Sequence, residues 1–125
     1  MSWAKLIVYL DIEPRSICCS GGKTIATVTV RGETDGDDEE NTYEAFLKED
    51  YVLPDMLWRS GEVSVAPNSK IEKTYSVELR CDKHRKVIGP HGSSHERRAE
   101  VYAYVLSGDL EWQSNEIAVE CSKED

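Results

Sequence analysis

Apolar and polar residues alternate along most of this chain. In LIVYLDIE the even positions Leu6, Val8, Leu10 and Ile12 are apolar, whereas Lys5, Asp11 and Glu13 fall in the other phase. KIEKTYSVELRC puts Ile71, Tyr75, Val77, Leu79 and Cys81 on one face and Glu72, Thr74, Ser76, Glu78 and Arg80 on the other. NEIAVEC repeats the arrangement with Ile117, Val119 and Cys121 against Glu116 and Glu120, and GGKTIATVTVRG is rich in β-branched residues behind a glycine pair. Successive side chains of an extended chain point to opposite sides, so period two describes strands with one face in a core and the other in water. About seven strands are predicted, over 4–13, 22–32, 42–49, 62–66, 70–82, 98–107 and 112–121. Turn residues separate them, among them Pro14, Gly21-Gly22, Asp35-Gly36-Asp37, Pro67-Asn68, Gly89-Pro90 and Ser107-Gly108-Asp109. The best helix candidate, Tyr43 to Asp50, reads equally well as a strand with Tyr43, Ala45 and Leu47 on one face. Pro54 makes 50–61 an edge strand or a turn.

Short strands at regular spacing without helices predict an all-β fold, a two-sheet antiparallel sandwich. At 125 residues the chain suits a single domain, 1–125. The C-terminal third, EVYAYVLSGDLEWQSNEIAVE, resembles the last hairpin of a fibronectin type III or similar immunoglobulin-like domain. Tyr102 and Tyr104 alternating up a strand, the Ser107-Gly108-Asp109 turn, and Ser114-Asn115-Glu116 leading into Ile117 and Val119 carry the likeness. SVAPNSKIEKTYSVELR also resembles the link into the fifth strand of bacterial immunoglobulin-like domains. The resemblance implies an immunoglobulin-like β-sandwich scaffold and no particular activity.

Charge narrows the partners. Fifteen Lys and Arg stand against 24 Asp and Glu, a net charge of −9. Such a surface repels nucleic acid and anionic membrane, and favours cations or basic partners. No apolar run approaches the roughly 20 residues that span a bilayer. At the N-terminus, the apolar run Leu6 to Leu10 is too short for a secretory signal and leads straight into Asp11 and Glu13. An intracellular chain or a mature domain is expected, with the cytoplasm slightly favoured.

A sandwich sorts the polar clusters between two poles. One is expected to carry Glu33, Asp35, Asp37, Asp38, Glu39 and Glu40, near Asp109, Glu111 and Trp112. These offer many oxygens to a cation such as Ca²⁺, but lack the closing glycine and distant glutamate of an EF-hand loop, so a solvated acidic loop is the preferred reading. The other pole is expected to gather Cys18, Cys19, Cys81, His84, His91, His95 and Cys121. The spacing Cys81-x₂-His84-x₆-His91-x₃-His95 is that of a zinc knuckle, because short pairs let one loop clasp a tetrahedral ion. The surrounding cations oppose a dication, so no cofactor is expected, zinc being the one this spacing would admit. Cys81 and Cys121 both lie in the inward phase, which fits a disulfide or two buried thiols, and buried thiols are preferred. The adjacent Cys18 and Cys19 form no CxxC redox motif and read as an ordinary strand end.

A third reading of CDKHRKVIGPHGSSHERR is a contact surface for a phosphate or an acidic protein, set against the plainer and preferred one of a solvated flexible loop. Arg80, Lys83, His84, Arg85, Lys86, His91, His95, Arg97 and Arg98 would provide it on an otherwise acidic molecule. Opposed acidic and basic poles would also permit head-to-tail self-association. The serine of Gly92-Ser93-Ser94-His95 stands near a histidine, but sequence adjacency is no triad, and catalysis is not expected. The leading expectation is a non-catalytic module that contacts a protein through its pole loops or an edge strand. The alternative is a metal- or redox-responsive domain using the Cys/His pole. Trp58 or Trp112, if exposed, would instead suggest a platform for carbohydrate.

Overall fold

The computed structural model describes residues 3–18, 21–36 and 41–122. Alternation in sequence becomes alternation in burial. Along Asn41–Glu49 every odd position is buried and every even one is half-buried. The described residues form nine strands in two sheets. One sheet has the order β1 (Trp3–Glu13), β3 (Lys23–Thr34), β6 (Lys70–Cys81), β7 (Val87–Ile88). The other runs β2 (Ser16–Cys18), β9 (Leu110–Ser122), β8 (Arg98–Ser107), β4 (Asn41–Glu49), β5 (Met56–Val65). Neighbours are antiparallel except β2, which lies parallel to β9. The all-β sandwich expected from the pattern is therefore the fold.

Two differences from the predicted strands matter. The strand predicted over 62–66 is β5 and starts earlier, at Met56, because Leu57 is fully buried and Trp58 packs against the core, so Pro54 precedes an edge strand. The short strands β2 and β7 were not predicted; with three and two residues they are too brief to show a period. At the Glu13–Pro14 peptide, which is cis, the chain leaves one sheet and enters the other.

The inner faces meet in one core, including Ile12, Val28, Val30, Leu47, Leu79, Val101, Val105 and Val119. Several ties cross between the sheets at the periphery of this core. The Tyr43 and Tyr75 hydroxyls hydrogen-bond at 2.8 Å from β4 to β6, and burial together with that neighbour raises the Tyr43 phenol above its ordinary range. Asn115 on β9 grips the open edge of β1, donating to the Leu10 carbonyl at 3.1 Å and accepting from the Leu10 amide at 3.2 Å. Trp3 donates to the Ser107 hydroxyl at 2.8 Å, and its ring meets those of Tyr43 and Trp112 edge-on.

The covalent tie is a disulfide between Cys81 of β6 and Cys121 of β9, with Cα atoms 5.8 Å apart. The preference for two buried thiols is thus corrected: the shared inward phase brings the two sulfurs within bonding distance. Cys18 is exposed at the end of β2, and Cys19 lies outside the described residues. The bond closes a segment with a sequence separation of 40, for which loop-closure entropy gives about 4 kcal/mol of stabilisation. A Cys81→Ala/Cys121→Ala variant should lose about that much stability in urea unfolding, and reductant should destabilise the parent but not the variant. Equal stability of the two proteins without reductant would refute the assignment.

Candidate functional site

The stretch from Asp82 to Arg97 is a built element that closes one end of the sandwich. Asp82 organises its first turn: Oδ1 accepts from the backbone amides of His84 and Lys86, both at 2.9 Å. After the short strand β7 the chain crosses towards the other sheet. Val87 is buried beneath it, and the Ser94 hydroxyl accepts from the Val87 amide at 2.9 Å and donates to the Glu96 carbonyl at 2.7 Å. The His91 amide donates to the Leu57 carbonyl at 3.0 Å on edge strand β5. Glycine permits this approach, since a Cβ on Gly89 or Gly92 would lie 2.4 Å or 2.3 Å from the carbonyl oxygen of Leu57 or Met56.

At the far end of the crossing stands Glu49, the last residue of β4, only 1% exposed. Its Oε1 accepts from the His95 amide at 2.7 Å, and its Oε2 from the Glu96 amide at 3.2 Å. The His95 ring nitrogen Nδ1 lies 3.3 Å from Glu49 Oε1 and 2.6 Å from Asp55 Oδ2. Tyr51 stacks on the His95 ring at 4.2 Å with planes 10° apart. A carboxylate withdrawn from water is costly unless donors surround it, and this arrangement supplies them. Between Tyr51 and Asp55 the chain turns outward, leaving Val52 89% and Leu53 75% exposed at the same end.

The residues singled out in sequence have divided fates. Cys81, Cys121 and the β2 terminus do converge: β2 pairs Ile17 with Cys121, and the Cys81 sulfur lies 3.7 Å from the Ile17 carbonyl oxygen. Cys81 is bonded to Cys121 and offers no thiolate to a metal, so the Cys81/His84/His91/His95 knuckle is not assembled. Among the described residues, Glu49, Asp55 and His95 form the one trio whose ligand atoms all lie within 4.8 Å of one another. Arg85 directs Nε and a terminal nitrogen at the Cys121 carbonyl, at 3.2 and 3.1 Å, and Lys86 Nζ binds the His95 carbonyl. Arg80 is paired with Glu78, whose carboxyl that contact lowers from its ordinary pKa, and Arg98 stands 3.9 Å from Glu100. Lys83, His84, His91 and Arg97 are exposed. Three of the nine expected contact residues, Arg85, Lys86 and His95, thus hold the crossing together.

Sequence reasoning missed Glu49, Tyr51, Asp55 and the Val52–Leu53 tip. A readable signal existed for Glu49, which continues the inward phase of Tyr43, Ala45 and Leu47. At the opposite pole, the Asn68 amide donates to the Asp35 carbonyl at 2.9 Å, whereas Asp37, Asp38, Glu39 and Glu40 lie outside the described residues. Trp58 and Trp112 are partly buried against the core. An open depression of about 440 Å³ lies on the outer face of the first sheet, and its charges pair crosswise, Arg31 with Glu72 and Lys70 with Glu33.

No family model and no curated protein matches this chain. Among solved structures it is similar to a β-glucosidase from Listeria innocua in complex with glucose, at 10% identity and a TM-score of 0.45. The same is true of that enzyme in complex with gluconolactone, at 9% identity and a TM-score of 0.42. The matches cover 92% and 94% of this chain but 16% of each enzyme chain. A likeness at this level carries no argument about activity.

Beside this pole, Asp50, Glu100 and Glu116 bring three carboxyls together on the outside of the second sheet. The hydrogen bond to Asp50, then burial and the charges of Asp50 and Glu100, raise Glu116 from its ordinary value of 4.5 to about 7. The folded protein therefore keeps a proton that the unfolded chain releases. That contribution is complete below 4.5 and is lost as pH rises through about 7. Thermal stability should decline across this interval, and Glu116→Gln should flatten the decline; an unchanged pH profile in the variant would contradict the assignment. For the pole itself, Glu49→Ala should cost about 1–3 kcal/mol and speed exchange of the His95 and Glu96 amides, while Glu49→Gln costs less. Chemical unfolding with hydrogen exchange reads both effects, and slow exchange retained at those amides in Glu49→Ala would overturn this role.

Proposed function

We propose that this domain is a non-catalytic interaction module that binds a protein partner through the pole carrying residues 50–55 and 82–98. The scaffold reading is immunoglobulin-like, supported by the strand order and by β2 running parallel to β9. One observation carries the functional reading: Val52 and Leu53 project into solvent from a segment whose base is firmly held. Large apolar side chains presented together on a rigid base favour burial in a partner. Exposed Lys83 and Arg97, with His84 and His91 beside them, add positive charge to a molecule of net −9. The fitting partner presents an apolar recess with carboxylates at its rim, so the cations steer approach and the tip supplies affinity.

Burying a leucine or valine side chain contributes about 1.5–3 kcal/mol, so Leu53→Ser should weaken the complex roughly tenfold or more. A photoreactive residue at position 52 identifies the partner by crosslinking, and titration with the purified partner measures the loss. Lys83→Glu with Arg97→Glu should chiefly slow association at low salt. Crosslinks unaffected by Leu53→Ser, or binding to anionic vesicles in place of protein, would sink the proposal.

A further inference from the structure

We propose that Glu49, Asp55 and His95 form a binding site for a single Zn²⁺ ion at the base of the 50–55 segment. The three side chains come from the end of β4, the approach to β5 and the crossing before β8. One donor atom from each lies within 4.8 Å of the others. In a tetrahedral zinc site with bonds of about 2.0–2.1 Å, neighbouring donors stand about 3.3 Å apart. The separation of His95 Nδ1 from Glu49 Oε1 is already 3.3 Å. Nδ1 to Asp55 Oδ2 is shorter, 2.6 Å, the length of a hydrogen bond through a proton at the place a metal would take. Opening that contact needs only a small retreat of Asp55, whose side chain is 36% exposed.

The supporting contacts are those a metal site requires. Backbone amides of His95 and Glu96 hold the Glu49 carboxylate in orientation, and each of its oxygens retains a lone pair. Tyr51 fixes the plane of the imidazole. Two carboxylates balance the two charges of a dication, and the neutral imidazole adds a third ligand without adding charge. One nitrogen and two oxygens suit borderline zinc, whereas Ca²⁺ takes six to eight oxygens and finds too few here. Three protein ligands leave a fourth position for water or for a side chain from another molecule. The ion would tie β4, β5 and the crossing into one unit, and it would do so without Cys81, His84 or His91. The site is independent of protein binding by the tip.

The test is titration of the whole, disulfide-intact chain with Zn²⁺ by calorimetry, with Co²⁺ as a spectroscopic substitute. The parent should bind one Zn²⁺, rise in thermal midpoint, and give the visible absorption of tetrahedral Co²⁺, while Ca²⁺ does neither. Asp55→Asn, which keeps the shape of the side chain, and His95→Gln should each weaken Zn²⁺ binding about a hundredfold. Circular dichroism of the metal-free variants shows that they remain folded. His84→Ala and His91→Ala should bind as the parent does. No binding up to millimolar zinc, undiminished binding by folded Asp55→Asn, or loss of binding in His84→Ala or His91→Ala would overturn the proposal.

Discussion

Burying the Glu49 carboxylate at the end of β4 creates a demand for hydrogen-bond donors, and the crossing from one sheet to the other is shaped by meeting it. The odd positions of β4 face inward, so Tyr43, Ala45 and Leu47 enter the core and Glu49 follows them. An ionised carboxylate left bare there would cost several kcal/mol. The chain answers with two successive amides and an imidazole, all delivered by residues 95 and 96. Once those are in place, the path of residues 89–94 has little freedom, because it must run along the β5 backbone where only glycine clears the carbonyls. The 50–55 segment then stands on a base stacked and hydrogen-bonded at His95.

The same economy governs the cations of the crossing. Arg85 and Lys86 satisfy carbonyls that strand pairing does not reach, at the end of β9 and at His95. Charge counted along a sequence therefore overstates the charge available to a partner. What remains exposed is a smaller set of cations beside an apolar tip, which is a surface suited to steering and then burying. The disulfide beneath this pole acts differently, by limiting the unfolded chain, and bonds of its kind persist in oxidising compartments.

Much of the fold was legible from the sequence by itself. Period-two alternation marks an extended segment and assigns each residue to the inner or outer face, because the pleat is a local property of the backbone. That was enough to predict the sandwich, the inward aim of Cys81 and Cys121, and the end of the molecule where cysteines gather. It was not enough for β2 and β7, which are too short to have a period, nor for β5, whose pairing with β4 slips opposite Glu44–Phe46 and opposite Leu47–Lys48.

The tertiary structure alone decided which inward-facing groups meet. Cys81 and Cys121 are brought together by the packing of β6 over β9, and Glu49, Asp55 and His95 by the crossing of the loop over the end of β4. Residues 81, 84, 91 and 95 have the spacing of a metal loop, yet one sulfur is taken by a bond to the other sheet and only His95 reaches other ligand-type side chains. Spacing along the chain measures how far a loop can reach. Whether it closes on itself or on a neighbouring strand depends on buried polar groups elsewhere that must be satisfied, and those become neighbours only when the sheets pack.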